Sequence, residues 1–381
     1  MSRNIYSEEH EIFRETFRKF VQNEIAPNIE EWEEKGQVPR SAWKKMGEQG
    51  FLCPWLEERY GGSGVGFEYS VIIIEELSRV RADGFQVMLH SDIVAPYIDT
   101  FGNEEQKERW LPGCTTGDMV LAVGMTEPDA GSDLQAVRTK AVKEGNSYVI
   151  NGQKTFISNG ISCDLVVLVC KTDTEVKPVH KGISLMAVED GTPGFIKGRK
   201  LEKMGMKMSD TAELLFEDCR VPRENLIGEE GKGFVYLMEG LQQERLGVVI
   251  QSQVAAETML EMTIAYCKER QAFGQPIGSF QHNSFKIVEM ATEIELGRTF
   301  VDDLVADHLE GKDIVKKVSM AKWWTGEMVN RVAYHCVQLH GGYGYMEEYP
   351  ICQWYRDVRG APIWAGTTEI MKGIIGKMMG L

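Results

Sequence analysis

The spacing of apolar residues in the first third of the chain predicts helices. Six apolar positions recur at steps of three and four residues. They follow an acid-rich turn, and acidic residues are favourable at the N-terminus of a helix because of the helix dipole. The six apolar positions are Ile12, Phe13, Phe17, Phe20, Val21 and Ile25. A second helix is predicted over 69–80, and an apolar segment over 85–94 contains one carboxylate, Asp92. Residues 1–118 are therefore expected to form a helical domain.

From residue 119 the pattern changes to runs of four to eight apolar residues bounded by Gly, Asn and Asp, which is typical of strands. Strands are predicted over 164–170, 182–188 and 211–221. Within 148–157, Asn151–Gly152 has the sequence of a type I′ turn and predicts a hairpin. Residues 119–231 are expected to form a small antiparallel β-barrel or sandwich.

Helical periodicity returns after residue 232 and continues to the end of the chain. Helices are predicted over 234–250, 254–270, 285–309, 314–339 and 367–379, so 232–381 is expected to form a C-terminal helical domain. Helices, then strands, then helices are typical of an α+β architecture rather than of alternating βαβ units. A nucleotide is therefore not expected to bind on a Rossmann sheet.

Composition and charge exclude several classes of protein. The chain has 381 residues, 43% hydrophobic and 26% charged, as in ordinary globular proteins. Acidic residues outnumber basic ones, 57 to 42, and the net charge of −15 argues against nucleic acid as a partner. Neither a secretory signal nor a run of the ~18 apolar residues of a membrane span is found. We expect a cytoplasmic protein with eight reduced cysteines.

The common motifs of nucleotide, metal and triad chemistry are missing from the sequence. The Gly-rich stretch Tyr60–Gly66 follows charged residues rather than a strand and lacks a Walker lysine, which favours a plain loop. The seven histidines are dispersed, and neither His-Glu-x-x-His nor a nucleophile elbow occurs. No metal site is expected.

Three short segments are better candidates for ligand binding. Met125–Asp133 offers hydroxyls and small residues whose backbone N–H groups can approach an anionic ligand, although a surface turn has the same composition. Phe156–Gly160 places an aromatic residue and a hydroxyl after a predicted strand, where a core aromatic is the alternative. Gln338–Tyr345 ends a long helix with glycines that either terminate it or leave its backbone open to a diphosphate.

Taken in order, these segments resemble the acyl-CoA dehydrogenase family over essentially the whole chain. Further similarity lies in Glu269–Gly274, Phe280–Gln281 and Trp364–Ile370. The stretch Gln243–Leu246 is most similar to the long-chain and isovaleryl branches. The resemblance implies an N-terminal helical domain, a middle β-barrel domain and a C-terminal four-helix bundle. It also implies FAD, a homotetramer built as a dimer of dimers, and an electron-transferring flavoprotein as partner.

The resemblance also assigns binding residues by position. It implies that six residues line the flavin ring and pyrophosphate: Met125, Thr126, Gly131, Ser132, Phe156 and Ser158. It implies that five others reach the FAD of a neighbouring subunit: Arg270, Phe273, Gln281, Gln338 and Gly342. Thr367 and Glu369 are implied to reach the adenosine-diphosphate part of that FAD. Substrate contacts are implied for Ser132, Gln242, Arg245, Ala365 and Gly366.

The base that removes the substrate α proton is the main open question. Most of the family has a Glu before the Gly-Thr of the C-terminal motif, but this chain has Ala365, whose backbone N–H can still polarise the thioester carbonyl. The long-chain and isovaleryl branches place their base where this chain has Glu244. Asp92 is the rival base, and either carboxylate would disfavour a dicarboxylic substrate. The alternatives are a solvated helix glutamate for Glu244, and a helix cap or a water-facing side chain for Asp92.

The function expected from the resemblance is α,β-desaturation of an acyl-CoA thioester. Proton abstraction would accompany hydride transfer to flavin N5, with electrons passed to an electron-transferring flavoprotein. One alternative is an alicyclic dehydrogenase acting on cyclohexane- or cyclohex-1-ene-carbonyl-CoA with Asp92 as base. The others are an acyl-CoA oxidase and a non-catalytic FAD-binding relative, and the net charge and Glu244 weigh against the latter.

Overall fold

The N-terminal third of the chain is helical, as its periodicity predicts. The computed structural model describes residues 5–381. Its N-terminal helices are α1 (Glu8–Phe20), α2 (Ile29–Lys35), α3 (Arg40–Glu48), α4 (Phe67–Arg79), α5 (Ala95–Phe101) and α6 (Glu104–Thr116). A π-helical segment, Leu89–Val94, leads directly into α5. No helix in residues 5–381 is long and apolar enough to cross a membrane.

The middle third forms one mixed eight-stranded sheet. Its strands are β1 (Leu121–Gly124), β2 (Lys140–Glu144), β3 (Ser147–Ile157), β4 (Leu165–Lys171), β5 (Ile183–Glu189), β6 (Phe195–Lys200), β7 (Ala212–Pro222) and β8 (Leu226–Ile227). The strand order is β6-β7-β3-β2-β4-β5-β8, and β1 pairs with β4. The β1–β4 and β2–β4 pairs are parallel and the others antiparallel, so the sheet is not all antiparallel as predicted.

The predicted turn at Asn151–Gly152 is wrong. Strand β3 continues through these residues, and the chain reverses instead between β2 and β3, where Gly145 has a φ of 61°. Gly152 lies at a β-bulge, and a Cβ there would come within 2.4 Å of the Thr139 hydroxyl oxygen. The glycine is needed for this close approach and not for a turn.

The C-terminal third returns to helices. It begins with the long helix α7 (Gly233–Glu269). A short hairpin of β9 (Gln271–Ala272) and β10 (Gln275–Pro276) follows, and the remaining helices come after this hairpin. The others are α8 (Gln281–Leu309), α9 (Val315–His340), α10 (Pro350–Val358) and α11 (Thr368–Met378). The prediction of two helices over 234–270 is wrong, because α7 is continuous. The polar residues that interrupt its apolar pattern are satisfied inside the bundle: Ser252 Oγ donates to the Val248 carbonyl and Gln253 Nε2 to the Ile294 carbonyl.

Helix α4 joins the first third of the chain to the last. Ile73 and Leu77 pack into the core formed with α1 and α3, whereas Val71 and Ile74 pack against α7 beside Leu246. Each fully buried aliphatic side chain of this kind contributes about 2 kcal/mol to stability. The segment of α7 around residue 245 is therefore held in the interior, between α4 and α9.

Candidate functional site

A half-buried carboxylate, Glu244, and a buried guanidinium group, Arg245, are neighbours on α7. Arg245 is 5% exposed, and its Nε has no hydrogen-bond partner in residues 5–381. The Oε2 of Glu244 is also buried without a partner in that range. Burial raises the pKa of Glu244 to about 7, against the opposing effect of Arg245 and of Lys322 on α9. Burial lowers the pKa of Arg245, while Glu244 raises it. Glu244 is half-buried, and its Oε2 is shielded from solvent, unlike that of a fully solvated helix glutamate.

The turn before α11 lies against this pair. Ala365 and Gly366 have φ angles of 53° and 92°, and Arg245 Nη2 is 3.8 Å from the position of a Cβ on Gly366. Lys322 Nζ donates to the Gly366 carbonyl over 2.5 Å. The structure thus places Glu244, Arg245 and the Ala365–Gly366 turn in one region. Thr367 follows the turn and caps α11 by accepting from the Ile370 N–H.

Tyr97 on α5 faces the same segment of α7. Its hydroxyl is 2.5 Å from the position of a Cβ on Gly240, one turn before Glu244, and has no hydrogen-bond partner in residues 5–381. Burial raises the pKa of Tyr97, and the charge of Glu244 raises it further. A side chain at position 240 would displace this tyrosine, which explains the glycine.

Asp92 is buried in the π-helical segment before α5. It is 3% exposed, and burial raises its pKa to about 7, against the effect of nearby Ser70 and Trp55. Gln243, next to Glu244, donates through Nε2 to the Asp92 backbone carbonyl over 2.7 Å. The interpretation of Asp92 as a helix cap or a water-facing side chain is therefore wrong, because the carboxyl group lies inside the helical core.

Several buried polar atoms near this part of α7 lack partners within residues 5–381. They are Asp92 Oδ1, Tyr97 OH, Gln242 Oε1, Glu244 Oε2 and Arg245 Nε. Buried polar groups are hydrogen-bonded in the great majority of cases. Such a concentration on two facing elements indicates that a ligand with polar groups completes the region.

A second group of predicted residues meets at the end of β3. Lys154 Nζ donates to the Met125 carbonyl over 3.0 Å, and the Thr155 N–H donates to the Thr126 carbonyl over 2.9 Å. These bonds place Met125 and Thr126 beside Phe156, which is 68% exposed at a φ of 59°. The interpretation of Phe156 as a core aromatic is wrong. Gly131 approaches the Thr126 methyl group, with exposed Ser132 next in the chain, and Ser158 follows Phe156.

A third group lies at the far end of α7. The Arg270 guanidinium is 5.4 Å from the centre of the Tyr343 ring, and Phe273, at 96% exposure, stands 6.1 Å from Phe280. Three more predicted residues of this group are also exposed: Gln281, Gln338 and Gly342. Thr367 and Glu369 lie instead at the start of α11, where Glu369 faces Lys322. Arg270 is 26 residues from Glu244, which corresponds to about 39 Å along a helix. The structure therefore does not bring this group to Glu244 within one chain.

Comparison with known proteins identifies the family. Sequence models of the N-terminal, middle and C-terminal domains of acyl-CoA dehydrogenase match residues 7–118, 122–219 and 231–380. The chain belongs to the acyl-CoA dehydrogenase family. It is accordingly an oxidoreductase of this family. The predicted order of a helical, a β and a second helical domain is confirmed.

Relatives in the family agree with the predicted branch. The chain is 48% identical over 375 residues to the mitochondrial long-chain specific acyl-CoA dehydrogenase of Sus scrofa, covering 98% of this chain and 87% of the relative. It is 37% identical over 377 residues to the mitochondrial isovaleryl-CoA dehydrogenase of Pongo abelii, covering 98% and 89%. The crystal structure of an acyl-CoA dehydrogenase from Geobacillus kaustophilus is 56% identical, with a TM-score of 0.99 over 100% of both chains.

Sequence reasoning missed Tyr97 and Lys322. Tyr97 follows a proline in an apolar stretch and reads as an ordinary core residue. Lys322 does carry a signal, since it interrupts the apolar face of α9 next to Ala321. Lysines are almost never fully buried unless they are paired, so such a position indicates an internal partner.

Proposed function

We propose that this chain is an FAD-dependent dehydrogenase that desaturates an acyl-CoA thioester between its α and β carbons, with Glu244 as the base. The observation that carries the proposal is the buried carboxylate of Glu244, which lacks a hydrogen-bond partner at Oε2 within residues 5–381. Its pKa of about 7 suits a general base at neutral pH. Incubation with acyl-CoAs and an artificial electron acceptor should yield the 2-enoyl-CoA, which mass spectrometry identifies.

The residues at the end of β3 fit FAD. Exposed Phe156 offers an aromatic face, and the segment beginning at Met125–Thr126 offers backbone N–H groups beside it. A glutaryl-CoA dehydrogenase from Mycobacterium smegmatis, 28% identical with a TM-score of 0.91, is described in complex with FADH2. Bound FAD would supply the acceptor for the hydride that leaves the β carbon.

The residues of this chain would perform the proton chemistry. Glu244 accepts the α proton, and the Ala365 backbone N–H donates to the thioester carbonyl, which stabilises the enolate. The positive charges of Arg245 and Lys322 oppose the effect of burial and favour the ionised form of Glu244. Burial of the pair excludes water, so that each of these charges acts more strongly than it would at the surface.

A lysine-lined cleft suits the phosphates of CoA. It has a volume of 730 Å³ and lies beside the residues that precede α7. Its lining includes Lys140, Lys143, Lys171, Lys181, Glu230 and Gly231. From Gly233, the first residue of α7, to Glu244 the helix rises about 16 Å. An extended pantetheine arm can connect phosphates in this cleft to a thioester beside Glu244.

We also propose a homotetramer, built as a dimer of dimers. The Arg270 group lies roughly 39 Å from Glu244 along α7, too far to serve the same site, so it would serve the FAD of a neighbouring subunit. A second surface is an apolar groove of 460 Å³ on α8, α9 and α11, which a further copy of the chain would cover. The groove is lined by Leu296, Phe300, Met320, Trp323, Trp324 and Ile375.

The proposed electron acceptor is an electron-transferring flavoprotein. A solved structure described as the electron transferring flavoprotein of Acidaminococcus fermentans aligns with this chain at 37% identity and a TM-score of 0.93. This similarity supports a role for the chain in the same kind of electron transfer.

The rate of flavin reduction is expected to depend on the ionisation of Glu244. A base must be deprotonated to accept a proton, and the pKa of Glu244 is raised by burial to about 7. The second-order rate constant should therefore rise with pH through about 7 and then level off. At pH 5 it should be about 100-fold lower than the plateau, ten-fold for each pH unit. Anaerobic stopped-flow measurements between pH 5 and 9 test this, and a flat profile would contradict it.

A second candidate function is favoured by the burial of Asp92. Its carboxylate, with Oδ1 unpartnered within residues 5–381, could act as the base in an alicyclic dehydrogenase. If Glu244 is the base, Asp92→Asn should leave the reduction by straight-chain acyl-CoAs within about ten-fold of the wild-type rate, well below a general-base contribution. A loss of several hundred-fold, confined to cyclohexane- or cyclohex-1-ene-carbonyl-CoA, would assign the ring chemistry to Asp92.

A further inference from the structure

Lys322 is a charged residue in a fully buried position. Its side chain is 0% exposed on α9, between the buried residues Val318 and Thr325. A fully buried ammonium group is costly unless hydrogen bonds and opposite charges compensate for lost hydration. The identity of those compensating groups indicates what the lysine does.

The hydrogen bonds of Lys322 hold both ends of the turn before α11. Its Nζ donates to the Ala361 carbonyl over 2.9 Å and to the Gly366 carbonyl over 2.5 Å. Between these two anchors lies Ala365, a non-glycine residue in the left-handed region. Such a conformation is strained for a residue with a Cβ and needs support from its surroundings. Lys322 provides such support from α9, through its two hydrogen bonds to the turn.

Charges from three helices face Lys322. Glu244 and Arg245 approach from α7, Glu327 from α9 and Glu369 from α11. Burial and the charge of Arg245 together lower the pKa of Lys322 to about 8, against the three glutamates, which raise it. The ammonium form therefore predominates at pH 7. Its positive charge in turn lowers the pKa of Glu244, against the effect of burial.

We propose that Lys322 is a positioning residue that fixes the Ala365–Gly366 turn through two carbonyls and favours the ionised form of the neighbouring Glu244 carboxylate. The inference rests on the proposed function, because it assigns Glu244 as the base and Ala365 as the donor to the thioester. One side chain would thus control both the geometry of carbonyl polarisation and the charge of the base. Lys322 itself touches neither substrate nor cofactor in this role.

Two substitutions separate the charge of Lys322 from its hydrogen bonds. Lys322→Met keeps a chain of similar length but removes the charge, and Lys322→Arg keeps the charge but cannot place one nitrogen between the two carbonyls. Ser319→Ala is the matched control, since it removes a buried hydrogen bond to the Val315 carbonyl one turn earlier on α9. If Lys322→Met does not yield folded holoenzyme, Lys322→Gln replaces it as the neutral variant.

The direct readout is an infrared titration of the Glu244 carboxyl group in the holoenzyme, with the band assigned by Glu244→Gln. We expect the apparent pKa of Glu244 to rise by about one unit in Lys322→Met, the lower end of the effect of a nearby opposite charge. It should stay within a few tenths of a unit in Lys322→Arg and Ser319→Ala. In stopped-flow mixing with dodecanoyl-CoA, the limiting rate of flavin reduction should fall at least ten-fold in both Lys322 variants, with a smaller change in the dissociation constant.

The outcomes distinguish this inference from the proposed function. An unshifted Glu244 titration in the neutral variant would overturn the inference, as would a loss of rate that Ser319→Ala reproduces. If wild-type flavin is not reduced by acyl-CoAs of any length, the proposed function fails. The infrared titration then still decides whether Lys322 controls the charge of Glu244.

Discussion

Replacement of Glu244 by Gln is expected to slow reduction of the bound flavin by an acyl-CoA roughly 10³-fold, within the range of general-base contributions. Gln is nearly the same size and shape but cannot accept the α proton. Because Glu244 Oε2 is buried and lacks a hydrogen-bond partner within residues 5–381, the substitution removes no internal hydrogen bond of that atom. The variant should therefore retain FAD, bind acyl-CoA and unfold at about the same temperature.

The control for this variant is Glu239→Gln, the same chemical change at an exposed position five residues earlier on α7. It should reduce its flavin at the wild-type rate. Anaerobic stopped-flow absorbance measures both variants. Near-normal reduction in Glu244→Gln would remove Glu244 as the base, and Asp92→Asn would then be the variant to pursue.

Lys154→Met is expected to destabilise the protein by about 3 kcal/mol and to weaken FAD binding. Lys154 is 0% exposed, and its ammonium group bonds Glu127 Oε1 at 2.8 Å as well as the Met125 carbonyl. Glu127 also accepts from the Thr139 N–H at 3.0 Å. Removing one partner of a buried ion pair typically costs about 3–5 kcal/mol, because the other charge stays buried without compensation.

The double variant Lys154→Met with Glu127→Gln is the control for that interpretation. If the uncompensated carboxylate causes the loss, the double variant should be more stable than the sum of the two single effects. Urea denaturation followed by circular dichroism gives the free energies of unfolding, and flavin absorbance after gel filtration gives the retained FAD. An unchanged unfolding midpoint in Lys154→Met would contradict the predicted role of the pair.

The helices were predictable where a single apolar face packs on the core. The prediction over 314–339 agrees with α9 to within one residue at each end, because that helix buries an apolar stripe of regular spacing. The polar residues Gln251–Gln253 interrupt the apolar pattern of α7, so the pattern predicts two helices where there is one. The sequence does not show that a neighbouring helix accepts a hydrogen bond from such a polar side chain, as α8 does from Gln253. The short helix α10 and the strand β6 escaped prediction for lack of a long periodic pattern.

The candidate site was predictable as separate motifs but not as an arrangement. Glu244 and Asp92 were both identified as candidate bases, yet the sequence does not tell whether a carboxylate is buried, and burial is what raises each pKa to about 7. Lys322 lies 78 residues from Glu244 in the chain, and only folding brings α7 and α9 together. Local patterns therefore predict the segments, whereas charges and contacts between them follow from the packing.

The central claim, acyl-CoA dehydrogenation by a flavin paired with Glu244, is tested most directly by the anaerobic visible spectrum of the purified protein during titration with acyl-CoAs. Straight-chain thioesters of several lengths are compared with cyclohexane- and cyclohex-1-ene-carbonyl-CoA. We predict a yellow protein whose flavin band bleaches with at least one straight-chain thioester in the wild type, and bleaches only very slowly in Glu244→Gln. Bleaching by the ring substrates alone would favour Asp92, and a colourless protein that takes up no FAD would contradict the claim.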